Sequence, residues 1–336
     1  MMHTPKMIGV LATFVLLHTV GVVCAQDPHF TQFFLTHQLY NPAVTGTFDE
    51  DVRASAHYRQ QWRTAGNGFT TSAINAEGNF LRRSGQYFSA GAFVLTDQSG
   101  NANIRSTQVL ASAAYHMKVS NKNAMSAGMQ FAMLQRSLDI AGLRWDAQYD
   151  GIQYDPSLPT METMSNDMVR RYDVAAGVNW RHEGKYNYQV GYGVRHFGQD
   201  FSVMGGGPDR LPLRQVLMGR IDRNISFGRL RYELLVQRQR RFMEITMGAR
   251  CEYRFGQESR YTKNNTSSAV FAGCYYRLRE SLSPLVGFEL KRFLSAYISY
   301  DIPISGVNKI VGVGGGPEFS VIWQGRFWER NTKLVK

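Results

Sequence analysis

Phe242-Met-Glu-Ile-Thr-Met-Gly-Ala-Arg-Cys-Glu-Tyr-Arg-Phe255 is a run in which apolar and polar side chains alternate without a break. The odd positions from Met243 to Phe255 are apolar, and the even positions from Glu244 to Arg254 are charged, hydroxylic or glycine. Successive side chains of a β-strand point to opposite faces, so this pattern predicts a long strand with one apolar and one polar face. The apolar face suits lipid, and the polar face suits water.

The same alternation recurs along the chain in Val52–Trp62, in Met125–Met133 and in further runs. About fourteen such segments are predicted: 52–62, 69–80, 86–96, 104–118, 123–137, 173–182, 186–197, 213–222, 229–238, 242–255, 267–279, 284–291, 293–301 and 317–328. Strands with a polar face cross a bilayer only as a closed sheet, because an open edge would leave backbone groups unpaired in lipid. An even strand count is usual for bacterial barrels.

The predicted fold is therefore all-β, a transmembrane antiparallel β-barrel of about 14 strands. A soluble β-sandwich is the alternative, since its strands alternate as well. Sandwich strands are usually shorter, about 5 to 6 residues, and the aromatic content of 12% favours the membrane protein.

The lengths of the connections predict the orientation of this barrel. Long connections follow odd-numbered strands at 138–172, 198–212 and 302–316, whereas short ones follow even-numbered strands at 118–122 and 183–185. Outer-membrane barrels have long extracellular loops and short periplasmic turns. The long connections are therefore expected outside the cell, and the non-alternating segment 26–51 is expected in the periplasm as a strap or plug. Connection 256–266 is long but falls on the periplasmic side, which leaves the strand count open by two at that point.

The first 25 residues have the features of a secretory signal peptide. Lys6 supplies a positive charge, an apolar run follows from Met7 to Val23, and Ala25 offers a small residue for cleavage. A lipoprotein anchored through Cys24 is disfavoured, because a small residue is wanted where Val23 stands. The expected organisation is a signal peptide at 1–25, a periplasmic strap or plug at 26–51, and an outer-membrane β-barrel at 52–336.

Composition narrows the possible partners. The formal charge of +12 falls to +11 when Lys6 leaves with the signal peptide. A basic exported protein is expected to meet lipid phosphates or an acidic partner rather than nucleic acid, although arginines lining a solvated lumen would give the same charge. The cluster Arg238, Arg240 and Arg241 falls at an outer hairpin, where lipopolysaccharide or plain solvent could surround it. Cys251 and Cys274 lie inside strand-like runs and are expected to pack unpaired.

No catalytic, cofactor or metal site is predicted, so the protein is not expected to be an enzyme. An outer-membrane hydrolase would pair a serine with a histidine, and the predicted strands contain four histidines: His57, His116, His182 and His196. None lies in a nucleophile motif. His57 and His116 alternate with apolar neighbours and are expected to face the lumen and to bond to neighbouring residues. Asp146, Asp150 and Asp155 match no calcium pattern and are expected to be turn residues. The glycine triplets at 205–207 and 314–316 lack the helix and lysine of a phosphate loop.

Three motifs lie near the mature N-terminus: Gln26-Asp27-Pro28-His29-Phe30, Tyr40-Asn41-Pro42-Ala43 with Gly46, and Tyr58-Arg59-Gln60-Gln61-Trp62. Together, and with weaker likeness at 142–150, 190–196 and 210–214, they resemble the PorP/SprF family of outer-membrane components of the type IX secretion system of Bacteroidetes. Val44-Thr45 departs from the family pattern, which has an aromatic or small pair before the glycine.

The resemblance implies a part in exporting cargo with C-terminal sorting domains, or in holding that cargo at the cell surface, in some relatives as gliding adhesins. It also implies contact with periplasmic secretion-ring components and with the outer membrane. Its motif residues are candidates for partner binding: Asp27, Pro28, Phe30, Asn41, Pro42, Gly46, Tyr58, Arg59, Gln61 and Trp62. The alternative is a diffusion or uptake channel for anionic solutes, selected by inner arginines such as Arg53, Arg59, Arg250 and Arg254.

Overall fold

A computed structural model of the chain describes residues 28–61, 68–99, 104–138, 145–161, 168–197, 200–202, 208–256, 267–304 and 314–326. Fourteen strands in these ranges close into one antiparallel barrel. They are β1 Val52–Gln61, β2 Phe69–Arg83, β3 Gln86–Ser99, β4 Ile104–Lys118, β5 Asn123–Ser137, β6 Met168–His182, β7 Tyr186–Arg195, β10 Arg214–Ile225, β11 Gly228–Gln239, β12 Phe242–Phe255, β13 Ser268–Arg277, β14 Ser281–Leu290, β15 Leu294–Pro303 and β16 Gly316–Gly325. Within the described ranges, no helix is long and apolar enough to cross a membrane.

Each barrel strand pairs with the strands next to it in the chain, and β1 pairs with β16 to close the wall, with Ala56 opposite Val321. Between β7 and β10 the chain forms a separate two-stranded hairpin from β8 (Asp200–Ser202) and β9 (Pro208–Arg210). All fourteen predicted segments are barrel strands, so the predicted fold class and strand count are confirmed.

One strand boundary differs where a proline interrupts a ladder. The predicted twelfth strand began at Pro284, whereas β14 begins at Ser281. Pro284 lies opposite Cys274 on β13, but the pairing of β14 with β15 passes from Leu282 to Leu285 without it. Proline has no N–H to donate, so a strand tolerates it where one ladder is broken.

The barrel reverses the burial pattern of a soluble protein. In β12, Glu244, Thr246 and Arg250 are buried on the inner face, while Met243 and Met247 are exposed on the outer face. Unpaired Cys251 and Cys274 also belong to the outer face. Apolar residues outside and polar residues inside are typical of a wall surrounded by lipid.

The two ends of the barrel differ in their connections. At the end where β1 begins and β16 ends, called here the N/C end, β2–β3, β6–β7, β10–β11 and β14–β15 are joined by short turns. The long connections at 138–167, 196–213 and 304–315 lie at the opposite end, called the long-loop end. The long connection 256–267 joins β12 to β13 at the N/C end, where the other connections are short. The predicted count of fourteen strands is therefore correct at this point of the chain.

Exposed aromatic residues gather towards the N/C end of the outer face. Phe88 and Tyr115 lie with ring centroids 4.7 Å apart on β3 and β4. Phe227, Tyr253 and Phe255 form a second group around the β10–β11 turn and the end of β12. Such girdles mark the level at which a barrel meets the polar surface of a membrane.

Residues 28–51, called here the strap, lie before β1 and fill much of the lumen. The strap contains two short 3₁₀ helices, His37–Leu39 and Pro42–Val44. Its apolar residues, among them Phe33 and Tyr40, form one buried cluster with inward-facing wall residues such as Leu110 and Leu235. Part of the lumen is therefore filled by a packed apolar core between the strap and the wall.

Candidate functional site: the strap and the vestibule beside it

The strap crosses the lumen from the long-loop end to the N/C end. Thr31 contacts Asp301, which is near the long-loop end of β15, whereas Asp51 adjoins Val52 at the N/C end. The sequence predicted a strap or plug at 26–51, on the side of the membrane where β1 begins. Residues 28–47 lie within the barrel, where their apolar side chains pack against inward-facing wall residues.

The first attachment of the strap, called the seam anchor, joins it to both strands of the closing seam. The N–H groups of Thr31 and Gln32 donate to the carboxylate of Glu318 on β16, each at 2.8 Å. The hydroxyl of Thr31 donates to Asp301 at 2.8 Å, and Arg59 of β1 pairs with the same carboxylate at 2.6 Å. All these groups are buried, so each satisfies a polar atom that would otherwise lack a partner.

The second attachment, called the Glu77 anchor, lies nearer the N/C end. The carboxylate of Glu77 pairs with Arg53 at 2.7 Å, accepts the N–H of Gly46 at 2.7 Å and lies 3.4 Å from the ring of His37. Burial, followed by the charge of Arg53, lowers the pKa of His37, so its ring is neutral. Gly46 has φ +77°, and a Cβ there would collide with Ser89 and Asn79. Only glycine suits this position.

The third attachment is a groove of inward-facing glycines beneath the turn Tyr40–Ala43. The groove consists of Gly91 on β3, Gly128 on β5, Gly177 on β6, and Gly191 and Gly193 on β7. A Cβ on Gly128 would lie 2.6 Å from the carbonyl of Pro42, and one on Gly193 would lie 2.6 Å from the carbonyl oxygen of Tyr40. The groove therefore lets the strap backbone approach the wall directly.

Asn41 and Pro42 shape the turn that occupies this groove. The Asn41 side-chain oxygen accepts the N–H of Ala43 at 2.9 Å, which caps the second 3₁₀ helix. Its amide nitrogen donates to the carbonyl of Val178 on β6 at 3.1 Å. Pro42 is the first residue of the helix, where its missing N–H costs nothing. One side chain thus caps the second helix and ties it to the wall.

The structure places the family-motif residues at several different positions. Phe30 is buried with its ring 5.8 Å from that of His57, and Asn41, Pro42, Gly46 and Arg59 belong to the three attachments. Tyr58 points outward and is 39% exposed, Gln61 ends β1, and Pro28 begins the described strap. Asp27 and Trp62 lie outside the described residues. The motif pattern alone gave no sign that most of these residues join the strap to the wall.

The strand histidines are held by neighbours. His57 lies between the hydroxyls of Ser55 at 2.7 Å and Ser320 at 2.8 Å. His116 bonds the carbonyl of Thr45 at 2.7 Å, His182 bonds Asn123 at 2.9 Å, and His196 pairs with Asp173 at 2.9 Å. The expected lumen-facing histidines bonded to neighbours are thus confirmed for His57 and His116.

The acidic loop after β5 is built from turns. Asp150 accepts the N–H groups of Ile152 and Gln153, both at 2.7 Å, and these hydrogen bonds lower the pKa of its carboxyl group. Asp155 accepts the N–H of Ser157 at 2.9 Å. In the described ranges, no group of three or more His, Cys, Asp or Glu residues could hold a metal ion.

Beside the strap, a cavity of about 580 Å³ opens towards the N/C end, called here the vestibule. The strap forms one side of it with Phe34 and Phe48, and inward residues of β10–β12 form the facing side. Arg250 lies over the Phe34 ring at 3.7 Å from its centroid, within cation–π range. Alternation on β12 identified Arg250 and Arg254 as inner residues, but the cavity depends on how the strap packs, which alternation does not encode.

Comparisons with solved structures match outer-membrane barrels. The toluene transporter TbuX of Ralstonia pickettii is 12% identical, with 87% of this chain and 93% of that chain covered and a TM-score of 0.51. The monoaromatic hydrocarbon channel CymD is 11% identical, with 90% of this chain and 95% of that chain covered and a TM-score of 0.52. A FadL homologue of Pseudomonas aeruginosa is 10% identical, with 86% of this chain and 93% of that chain covered and a TM-score of 0.52. At these identities the likeness shows the fold alone.

No curated protein matches the sequence. The family model for the type IX secretion system membrane protein PorP/SprF, however, matches residues 22–322, which include the strap and the wall up to β16. With an outer-membrane barrel fold and a match over most of its length, the chain belongs to the PorP/SprF family of type IX secretion system membrane proteins and is a protein of the outer membrane.

Proposed function

We propose that this protein serves the type IX system as a plugged, partner-binding barrel that aids export or surface attachment of cargo with C-terminal sorting domains, gliding adhesins among them. The strap carries this proposal. It is fixed in the lumen by buried ion pairs, a capped turn and a glycine groove. A transport pore needs an open path through the lumen, whereas a partner-binding barrel needs binding residues that are held rigidly. No catalytic step is part of the proposed role.

The proposed orientation puts the N/C end in the periplasm and the long-loop end outside the cell, since short turns are periplasmic in such barrels. Residues 1–25 would then be removed on export, 26–51 would remain as the plug, and 52–336 would form the membrane barrel. The N/C end would face the secretion ring. The long-loop end would face cargo and lipopolysaccharide, where Arg238, Arg240 and Arg241 lie at the β11–β12 turn.

A deletion strain complemented with the wild-type gene tests this role. Without the protein, sorting-domain cargo is expected to accumulate inside the cell, and surface adhesins are expected to be lost. Affinity purification of the tagged protein from gently solubilised outer membranes should recover ring components or cargo. Normal secretion and normal surface adhesins in the deletion strain would overturn the proposal.

A channel for anionic solutes is the second candidate, and the arginines of the vestibule favour it. Two structural neighbours of this fold are described as a toluene transporter and a monoaromatic hydrocarbon channel. Planar-bilayer recording separates the two candidates. A plugged barrel should barely conduct until residues 28–47 are deleted, whereas a channel should conduct with anion preference while the strap is intact.

A further inference from the structure

The vestibule is a charged chamber that opens towards the N/C end. Its inner side is closed by Phe33 and Phe34 of the strap, and its mouth lies among Glu183, Arg229 and Arg292 at the N/C end. Its volume of about 580 Å³ is within the usual range of ligand sites, roughly 300–1,000 Å³. The chamber is thus large enough for a short length of polypeptide.

Positive charge predominates on the wall formed by β10–β12. Five inward arginines line the vestibule there, together with three carboxylates: Arg220, Arg229, Arg231, Arg250 and Arg254, with Asp222, Glu233 and Glu252. Over the whole lining the two signs are nearly balanced. On this wall Arg231 pairs with Asp222, Arg250 pairs with Glu233, and Arg254 pairs with Glu252 and with Glu289 of β14. The positive charge that remains on the wall lies with Arg220 and Arg229.

Two of the arginines are poorly compensated. Asp222 is held by Arg231 through two hydrogen bonds, at 2.6 and 2.9 Å, so Arg220 only shares this carboxylate, at 3.5 Å. Arg229 donates to the side-chain oxygen of Asn224 at 3.3 Å. A guanidinium carries five N–H donors and prefers carboxylate or phosphate partners in a fork geometry. Arg220 and Arg229 are therefore suited to receive an oxyanion from outside.

Exposed lysines lie on the rim of the barrel at the N/C end, the end towards which the vestibule opens. Every lysine in the described part of the chain lies in a turn or at a strand end of the N/C end: Lys118, Lys122, Lys185 and Lys291. The exposed acidic residues Asp49 and Glu183 share this rim. A ligand that reaches both the rim lysines and the inner arginines must be extended and must carry several negative charges.

We propose that the vestibule binds an acidic segment of a polypeptide partner, whose carboxylates are taken by Arg220 and Arg229. Lipid headgroups are poor candidates for this position, because the strands separate the lumen from the bilayer. A free small anion would use the two arginines but would gain nothing from the rim. The inference rests on the proposed function and adds the chemistry of the partner that meets this end of the barrel.

The test uses the whole protein in nanodiscs of zwitterionic lipid. A fluorescein-labelled peptide of alternating serine and glutamate is titrated by anisotropy at low and at high salt, beside the same peptide with glutamine in place of glutamate. The acidic peptide is expected to bind, to weaken with salt because the contacts are ionic, and to outbind the glutamine peptide. The double variant R220Q/R229Q should bind about 10-fold or more weakly, because it loses two charge-assisted contacts.

The matched control is R238Q/R241Q, which removes the same charge from the exposed β11–β12 turn at the long-loop end. This control should bind the acidic peptide as the wild type does. Equal binding of the glutamine peptide, equal weakening by both double variants, or displacement of the peptide by an equal concentration of inorganic phosphate would each overturn the proposal. Heat-modifiable gel migration verifies that the variants are folded, and R229Q alone replaces the double variant if that one fails.

Failure of this inference is distinguishable from failure of the proposed function. If the acidic peptide does not bind but deletion of the protein still blocks cargo secretion, the vestibule site is refuted and the secretion role stands. If the peptide binds as expected but deletion leaves secretion normal, the vestibule site stands and the secretion role is refuted.

Discussion

Filling the glycine groove should release the strap while leaving the wall intact. The perturbation is the double substitution Gly128→Ala and Gly193→Ala, which adds one methyl group beneath Pro42 and one beneath Tyr40. Each new carbon would lie 2.6 Å from strap backbone atoms. Nonbonded carbon atoms are most stable about 3.5–4.0 Å apart, so the strap backbone must retreat by about 1 Å.

The cost follows from this displacement. Overpacking in a closely packed interior costs about 1–3 kcal/mol per site, and a retreating strap also lengthens the Asn41 hydrogen bond to Val178. The wall is held by strand pairing all round and should remain folded. The lower end of this cost for two sites, a loss of about 2 kcal/mol from strap seating, corresponds to about 30-fold more of the released state.

Hydrogen–deuterium exchange of peptides from residues 30–47 measures this release directly, because exchange reports the population of opened states. The control is Gly219→Ala on the outer face of β10, where a new Cβ meets only Leu234 at 3.7 Å. Strap peptides should exchange about 30-fold faster in the double variant and at the wild-type rate in the control. Unchanged strap exchange in a folded double variant would refute the reasoning.

The remaining predictions concern charge, pH and the outer face. Glu77→Gln should lower stability by about 3–5 kcal/mol, because it breaks a buried ion pair, whereas Arg326→Ala, at an exposed pair, should cost at most about 1 kcal/mol; urea unfolding in detergent measures both. Burial lowers the pKa of His37, so the released strap binds a proton more readily than the seated strap does. Protection of the strap against hydrogen exchange should therefore fall as the pH drops below about 6.5, the ordinary pKa of histidine, and His37→Gln should flatten this dependence. In liposomes, Cys251 and Cys274 should react with a lipid-soluble maleimide and resist a charged one; equal labelling would contradict an outer-face position.

Alternation predicted the wall of this protein almost completely. A strand in contact with lipid on one face and water on the other needs period-two polarity over its whole length, so the signal on β12 is as long as the strand itself. The start of β6 at Met168, rather than at 173, was missed because Arg170 and Arg171 interrupt the pattern. The hairpin of β8 and β9 lies inside a predicted loop and is too short to show a period.

The strap and vestibule were predictable only in part. Absence of alternation in 26–51 set the segment apart from the wall, and Asn41-Pro42 indicated a turn, which the structure confirms. Its position in the lumen depends on contacts with residues more than 200 positions away, such as Glu318, and local pattern carries no record of them. The glycine groove illustrates this limit, since each of its glycines reads as an ordinary inner residue until the partner backbone is known.

The seam anchor has a consequence for biogenesis. Arg59 lies on the first strand and Glu318 on the last, and the strap bridges them through backbone groups 286 and 287 residues distant from Glu318. First and last strands are the final pair to meet when a nascent barrel closes. A strap already resting against β1 offers the arriving β16 a preformed docking surface and shortens its search for register. We therefore expect the strap to guide closure, so that losing the N-terminal segment slows assembly of the barrel in the membrane even where the finished wall is stable.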